Sequence, residues 1–132
     1  MRYWLVKQEP TEYSFDQLLE EGETDWTGVR NYQARNNLRQ MKKGDKVLFY
    51  HSGAEKAVVG LAEVSKEHFP DPTDSEWTAV KIKPIRKLKK PVTLQQIKGE
   101  STLENIALVR QPRLSVMPLA EAEFEKIIQM SS

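Results

Sequence analysis

The chain has 132 residues, 39% hydrophobic and 30% charged, with a formal net charge of +1. That length suits one domain, residues 1–132, able to bury roughly two-thirds of its unfolded surface without metals or disulfides to hold a core. The absence of cysteine excludes disulfides, zinc–thiolate sites and thiol nucleophiles, and fits a reducing compartment.

Residues 2–7 are rich in Tyr, Trp and Val and read as a first strand, ended by Pro10. Ser14-Phe15-Asp16-Gln17 is a capping box that predicts a helix over 15–21, stopped at Gly22. Residues 24–29 read as a loop or short extended piece. Asn31 is a good N-cap for a helix running to about residue 41, with Ala34, Leu38 and Met41 as its buried stripe. Arg35, Arg39 and Lys42 form a second, basic stripe roughly 100° around that helix. The run 46–51 is nearly all apolar, as in a strand buried on both faces or in a barrel wall. After a turn at 52–55, residues 56–64 form another strand, with Gly60 marking a bulge or close approach. The polar stretch 65–76, with Pro70 and Pro72, reads as a surface loop. A strand over 77–85 follows. Two more capping boxes, Thr93-Leu94-Gln95-Gln96 and Ser101-Thr102-Leu103-Glu104, each predict a short helix or helical turn. A last strand over 114–117 and a closing helix over 120–129 complete the chain, with Leu119 stapled to Phe124. The plan is mixed α+β, built on a small β-barrel of about five to six strands with short flanking helices.

Charge is segregated along this plan. Residues 8–25 carry seven acids and no base, 26–44 five bases and no acid, and 77–99 seven bases and no acid. Two basic blocks can build a positive face for phosphates, through Arg35, Arg39, Lys42, Lys81 and Lys83; equally, they can pair with the acidic block. No apolar run approaches the ~18 residues of a membrane span, and the first residues lack the pattern of a signal peptide. A cytoplasmic protein with no membrane partner is expected, with a monomer as the default.

Signals for catalysis are weak. His51 and Ser52 adjoin, but neighbours on a strand point to opposite faces. No nucleophile elbow, Gly-rich phosphate loop, metal-ligand cluster or cofactor motif is present, so a non-enzyme with neither metal nor cofactor is expected. Binding is better supported. The run Trp26-Thr27-Gly28-Val29-Arg30-Asn31-Tyr32-Gln33-Ala34-Arg35-Asn36 combines aromatic planes that stack on bases, amides that pair with base edges, arginines and a helix start. Core packing is the competing reading for Trp26 and Tyr32, and a solvated helix face for Arg35, Arg39 and Lys42.

That run, with Trp4-Leu5-Val6-Lys7-Gln8-Glu9-Pro10, Met41-Lys42-Lys43-Gly44-Asp45, Phe49-Tyr50-His51-Ser52 and the segment Gln111-Pro112-Arg113-Leu114-Ser115-Val116-Met117-Pro118-Leu119, resembles the EVE family over essentially the whole chain. The resemblance implies a PUA-like fold, shared in outline with YTH and ASCH domains. It also implies a pocket for a modified base in nucleic acid, with modified cytosine in DNA favoured. The matching pocket positions are Trp26, Val29, Arg30, Asn31, Tyr32, Gln33, His51 and Ser52, with Lys7, Glu9 and Arg113 at the rim. Ala120 departs from the Ser or Thr cap of many relatives, at a cost of about 1 kcal/mol in helix-end stability. The chain also lacks the N-terminal extension of animal relatives, so a nuclear role does not carry over. The alternatives are an RNA-binding PUA-like module, a small-metabolite binder or enzyme using the same pocket, and a protein-interaction domain.

Overall fold

The computed structural model describes all residues, 1–132. Its elements are β1 (Tyr3–Gln8), α1 (Phe15–Glu21), β2 (Thr24–Trp26), α2 (Tyr32–Gln40), β3 (Lys46–His51), β4 (Ala57–Asp71), β5 (Asp74–Thr93), α3 (Leu94–Lys98), α4 (Ala107–Arg110), β6 (Val116–Leu119) and α5 (Glu121–Met130). The local signals explain most of these. Ser14 accepts the Gln17 amide at 3.1 Å while the Gln17 side chain receives the Ser14 amide at 2.8 Å, closing the box that starts α1. Gly22 ends that helix in the left-handed region. Asn31 caps α2 by accepting the Ala34 amide at 2.9 Å. At α5 only half a box forms: Glu123 accepts the Ala120 amide at 2.8 Å, and the alanine has no side-chain acceptor to return.

The six strands form one sheet in the order β2-β5-β4-β3-β1-β6. β1 runs parallel to β3, and every other pairing is antiparallel. No strand pairing joins β2 to β6, so the ladder is open where a closed barrel was expected. Helix α2 packs against both β5 and β6 instead. Asn37 Nδ2 donates to the Val116 carbonyl of β6 at 2.7 Å, and Arg39 Nε donates to Thr78 Oγ1 of β5 at 3.1 Å. The helix thus spans the gap between the two sides of the sheet.

One expectation about the strands fails. Residues 65–76 are not a loop: β4 continues to Asp71, and β5 returns from Asp74 after a tight turn at Pro72 and Thr73. Beyond Val64 the side chains are mostly exposed. Backbone pairing rather than apolar burial holds this extension, which is why hydropathy carries no trace of it. The segment 101–105 takes the helical-turn form, as successive turns, and helix α4 begins only at Ala107. Thr102 Oγ1 is engaged by Glu100 at 3.2 Å, and the backbone closes i→i−3 bonds that turn both Leu103 and Ile106 into the core.

One apolar core underlies the sheet, and burying each side chain such as Leu5 or Phe49 stabilises it by about 1.5–3 kcal/mol. Trp4 is buried with its indole N–H bonded to Asp45 Oδ2 at 3.0 Å, so its polar atom is satisfied. Phe15 and Trp26 both meet the Phe49 ring edge-on at 5.4 Å. Gly60 is fixed by this cluster, since a Cβ there would lie 2.4 Å from the Phe15 ring.

Candidate nucleic-acid interface

The parallel pairing of β1 with β3 sets Lys7 beside Tyr50 and Gln8 beside His51. The Ser52 amide then donates to the Gln8 carbonyl at 2.9 Å, so both strand ends open onto one region. His51 is buried there. Its Nε2 accepts the Phe15 amide at 3.1 Å, which assigns the ring proton to Nδ1, 2.7 Å from Glu55 Oε1. With both nitrogens engaged, the ring has none free to activate a nucleophile or read a ligand. The Glu9 carboxylate lies against Gly53, where a Cβ would approach it to 2.2 Å.

The next wall is the segment from Trp26 to Gln33. Trp26 is 5% exposed, wedged edge-on between Phe49 and Tyr13, and it borders a small cavity of about 160 Å³ with Gln8 and Thr27. Burial and the hydrogen bond to Glu21 push the Tyr13 phenol up to about 12. Trp26 is therefore a core residue with an accessible edge, not an open stacking face. Gly28 then turns the chain at φ 83°, and its amide donates to Asp71 Oδ2 at 2.9 Å. Arg30 Nη1 reaches the same oxygen at 3.1 Å, and its Nη2 donates to Thr73 Oγ1 at 2.9 Å. Burial of Asp71 favours its protonated form, but the Thr73 hydroxyl, the Gly28 and Thr73 amides and Arg30 outweigh it, holding the carboxyl well below the usual range. Val29 is buried beside this anchor. The hairpin tip thus fixes the path of the chain into α2.

At the start of α2 the exposed residues Asn31 and Gln33 face Gln111, Pro112, Arg113 and Leu114 across a cavity of about 330 Å³. Lys7 Nζ donates to the Pro112 carbonyl at 2.7 Å and lies 5.9 Å from the Tyr50 ring centroid. This ties β1 to the 111–114 loop; burial lowers the Lys7 pKa and raises that of Tyr50. Amide groups and a guanidinium give the cavity its polar lining, and Pro112 and Leu114 complete it. Such a set can pair with the edge of a planar polar ligand and contact a small apolar substituent.

The structure does not bring all the sequence candidates to this cavity. Tyr32 turns toward β5, where its ring stacks on Trp77 at 5.2 Å and 27°. The Arg35 guanidinium lies 4.8 Å from the Tyr32 centroid, and Arg35 Nη1 reaches the Glu76 carbonyl at 3.4 Å. Arg39 and Lys42 line a larger groove of about 730 Å³ at the other end of α2, with Arg2 and Lys43. Lys42 has only a loose pair there, 4.0 Å from Glu67. Lys81 is paired with Asp25 at 3.3 Å and Glu23 at 3.8 Å, and Lys83 with Glu63 at 3.1 Å. Hydrogen bonds from Lys46 and Lys83 keep the Glu63 pKa low. Acids therefore offset both lysines of the second basic block that were expected at phosphates.

Sequence reasoning missed Gln111, Pro112, Arg2, Lys43, Trp77 and Asp71 as parts of this surface. Lys43 lies within the first basic block, and Gln111 and Pro112 within the family-like segment, so those signals were present. Nothing local marks Trp77 or Asp71. No three His, Asp or Glu converge as metal ligands, and no helix is long and apolar enough to cross a membrane.

Comparison with known proteins gives a consistent picture. A crystal structure of a protein from Agrobacterium tumefaciens superposes with a TM-score of 0.97 at 42% identity, over 100% of this chain and 94% of that one. Human thymocyte nuclear protein 1 is 32% identical over 164 residues, covering 97% of this chain and 73% of that protein. A crystal structure of human THYN1 in complex with DNA containing 5-methylcytosine superposes with a TM-score of 0.92 at 30% identity, over 100% of this chain and 98% of that one. The EVE domain model matches residues 2–130, and the chain belongs to the EVE family.

Proposed function

We propose that this chain is a non-catalytic nucleic-acid-binding module that takes up a modified base, with modified cytosine in DNA the favoured ligand. The observation that carries this reading is the cavity of about 330 Å³ between the start of α2 and the 111–114 loop. Its size falls at the small end of ligand pockets, roughly 300–1,000 Å³, and suits a single base better than a larger cofactor. The complex of the human relative with 5-methylcytosine DNA supports the ligand class.

In this reading Asn31, Gln33 and Arg113 meet the polar edge of the base, and Pro112 and Leu114 receive its methyl or hydroxymethyl group. Trp26, Val29 and Arg30 act from behind by fixing the chain that enters α2, Lys7 holds the far side through Pro112, and His51 is engaged by Phe15 and Glu55 instead. Glu9 and Ser52 follow the ends of β1 and β3 and do not line the cavity. The basic groove of Arg2, Arg39, Lys42 and Lys43 holds backbone phosphates, with affinity that falls as salt rises. A base in a duplex must first leave the stack, at a cost of a few kcal/mol, so single strands bind more readily.

The test is competition binding at fixed salt. Matched DNA and RNA oligonucleotides, single and double stranded, carry plain, methylated or hydroxymethylated cytosine, or methylated adenine. Preference for one modified base supports the reading and names the ligand, and loss of binding to the 2′-hydroxylated strand separates DNA from RNA. Equal weak binding to every strand would leave a phosphate surface alone and overturn it.

A further inference from the structure

Tyr32 is the one aromatic side chain among the strongly exposed large hydrophobic residues, at 67% exposure. This ring is also held still. Trp77 of β5 stacks behind it with centroids 5.2 Å apart. Arg35 lies 4.8 Å from the Tyr32 centroid and 5.5 Å from that of Trp77, and Arg30 lies 5.7 Å from Trp77. Both arginines are themselves fixed: Arg30 by buried Asp71 and by Thr73, Arg35 by the Glu76 carbonyl. Arg35 Nε is buried with no hydrogen-bond partner, so ring contact supplements the single long bond from Nη1.

An exposed, backed aromatic face flanked by two guanidinium groups is the chemistry that receives a nucleobase and its phosphate. Its position is equally specific. Tyr32 lies between Asn31 and Gln33, which face the cavity, while Tyr32 faces β5. A strand that sends one base into the cavity can lay its neighbour across the Tyr32 ring, since Asn31 and Gln33 adjoin Tyr32 in the chain. We propose that Tyr32, backed by Trp77 and flanked by Arg30 and Arg35, is a second base site, which stacks the unmodified nucleotide next to the one in the cavity. This inference rests on the pocket reading above for the identity of the first base. Stacking discriminates little among bases, because every base presents a π-face, so the second site accepts any neighbouring base.

The experiment measures binding of wild type, Tyr32→Phe and Tyr32→Ala to short single-stranded DNA. Each strand carries 5-methylcytosine or cytosine at one position, with the nucleotide on either side intact or abasic. Tyr32→Ala should bind the intact strand at least about fivefold more weakly. An abasic neighbour on one side should weaken wild type to the same extent, and the two losses should not add. Tyr32→Phe should bind as wild type, and the preference for methylated over plain strand should survive in Tyr32→Ala. Additive losses, or unchanged affinity in Tyr32→Ala, overturn the second site. If wild type binds methylated and plain strands equally, the pocket reading fails, while coupling on the plain strand still decides the second site. Binding to none of the strands overturns both.

Discussion

The Asp71 carboxylate accepts the Gly28 amide at 2.9 Å, and this bond joins the tip of the long β4–β5 hairpin to the turn that leads into α2. The same carboxylate receives Arg30, the Thr73 amide and the Thr73 hydroxyl, with its side chain shielded from solvent. A buried carboxylate this well satisfied is expensive to disturb. Asp71→Ala should cost about 1–3 kcal/mol in urea denaturation, because it removes the buried acceptor that four partly buried donors share.

The same group sets an acid dependence. Its folded pKa is depressed, against about 3.9 for an unfolded aspartate, so its stabilisation is complete above that unfolded value. It is lost as pH falls below about 4 and on toward the lower folded value. Wild-type stability should therefore drop more steeply than that of Asp71→Asn as pH falls through this window. Parallel pH–stability curves would remove Asp71 as the cause.

Gly60 marks the tightest approach in the core. Gly60→Ala should destabilise by about 1–3 kcal/mol through overpacking against the Phe15 ring. Combining it with Phe15→Leu should recover part of that loss, a coupling that thermal denaturation of the four variants would measure.

Trp26 is a poor reporter of ligand contact because its burial ties binding to folding. Trp26→Ala should cost about 3–5 kcal/mol, so any loss of binding would track loss of structure. Trp26→Phe should keep both the fold and the preference for a modified base, as checked by circular dichroism alongside binding.

The two ends of α2 should separate by phenotype. Gln33→Ala touches no internal hydrogen bond and should erase the preference for a modified base while leaving binding to plain strands intact. Arg39→Ala should weaken modified and plain strands alike and reduce the slope of log K against log salt by about 1. If both variants weaken all strands equally, the division between base pocket and phosphate groove is wrong.

Much of this architecture follows from local chemistry legible in the chain. The Ser14 box, the Asn31 cap and the apolar run at 46–51 each determine their element within a few residues. The Tyr32–Trp77 stack was not legible, because it joins residues 45 apart in sequence across a strand pairing. The extension of β4 and β5 past Val64 was hidden for a related reason: its side chains are polar, and its cohesion lies in the backbone. The basic stripe of Arg35 and Arg39 was visible as an i, i+4 pair. That Arg35 packs on aromatic rings and Arg39 bonds Thr78 depends on where β5 lies, which helical spacing does not encode.

The most direct measurement is a pair of amide and side-chain NH2 spectra of labelled protein bound to two single strands that differ only in one cytosine methyl group. The account predicts that shift differences between the two complexes concentrate on Asn31, Gln33, Gln111 and Leu114, while Arg39 to Gly44 respond identically to both strands. Differences centred on the basic groove, or absent throughout, would contradict a base-reading cavity at the start of α2.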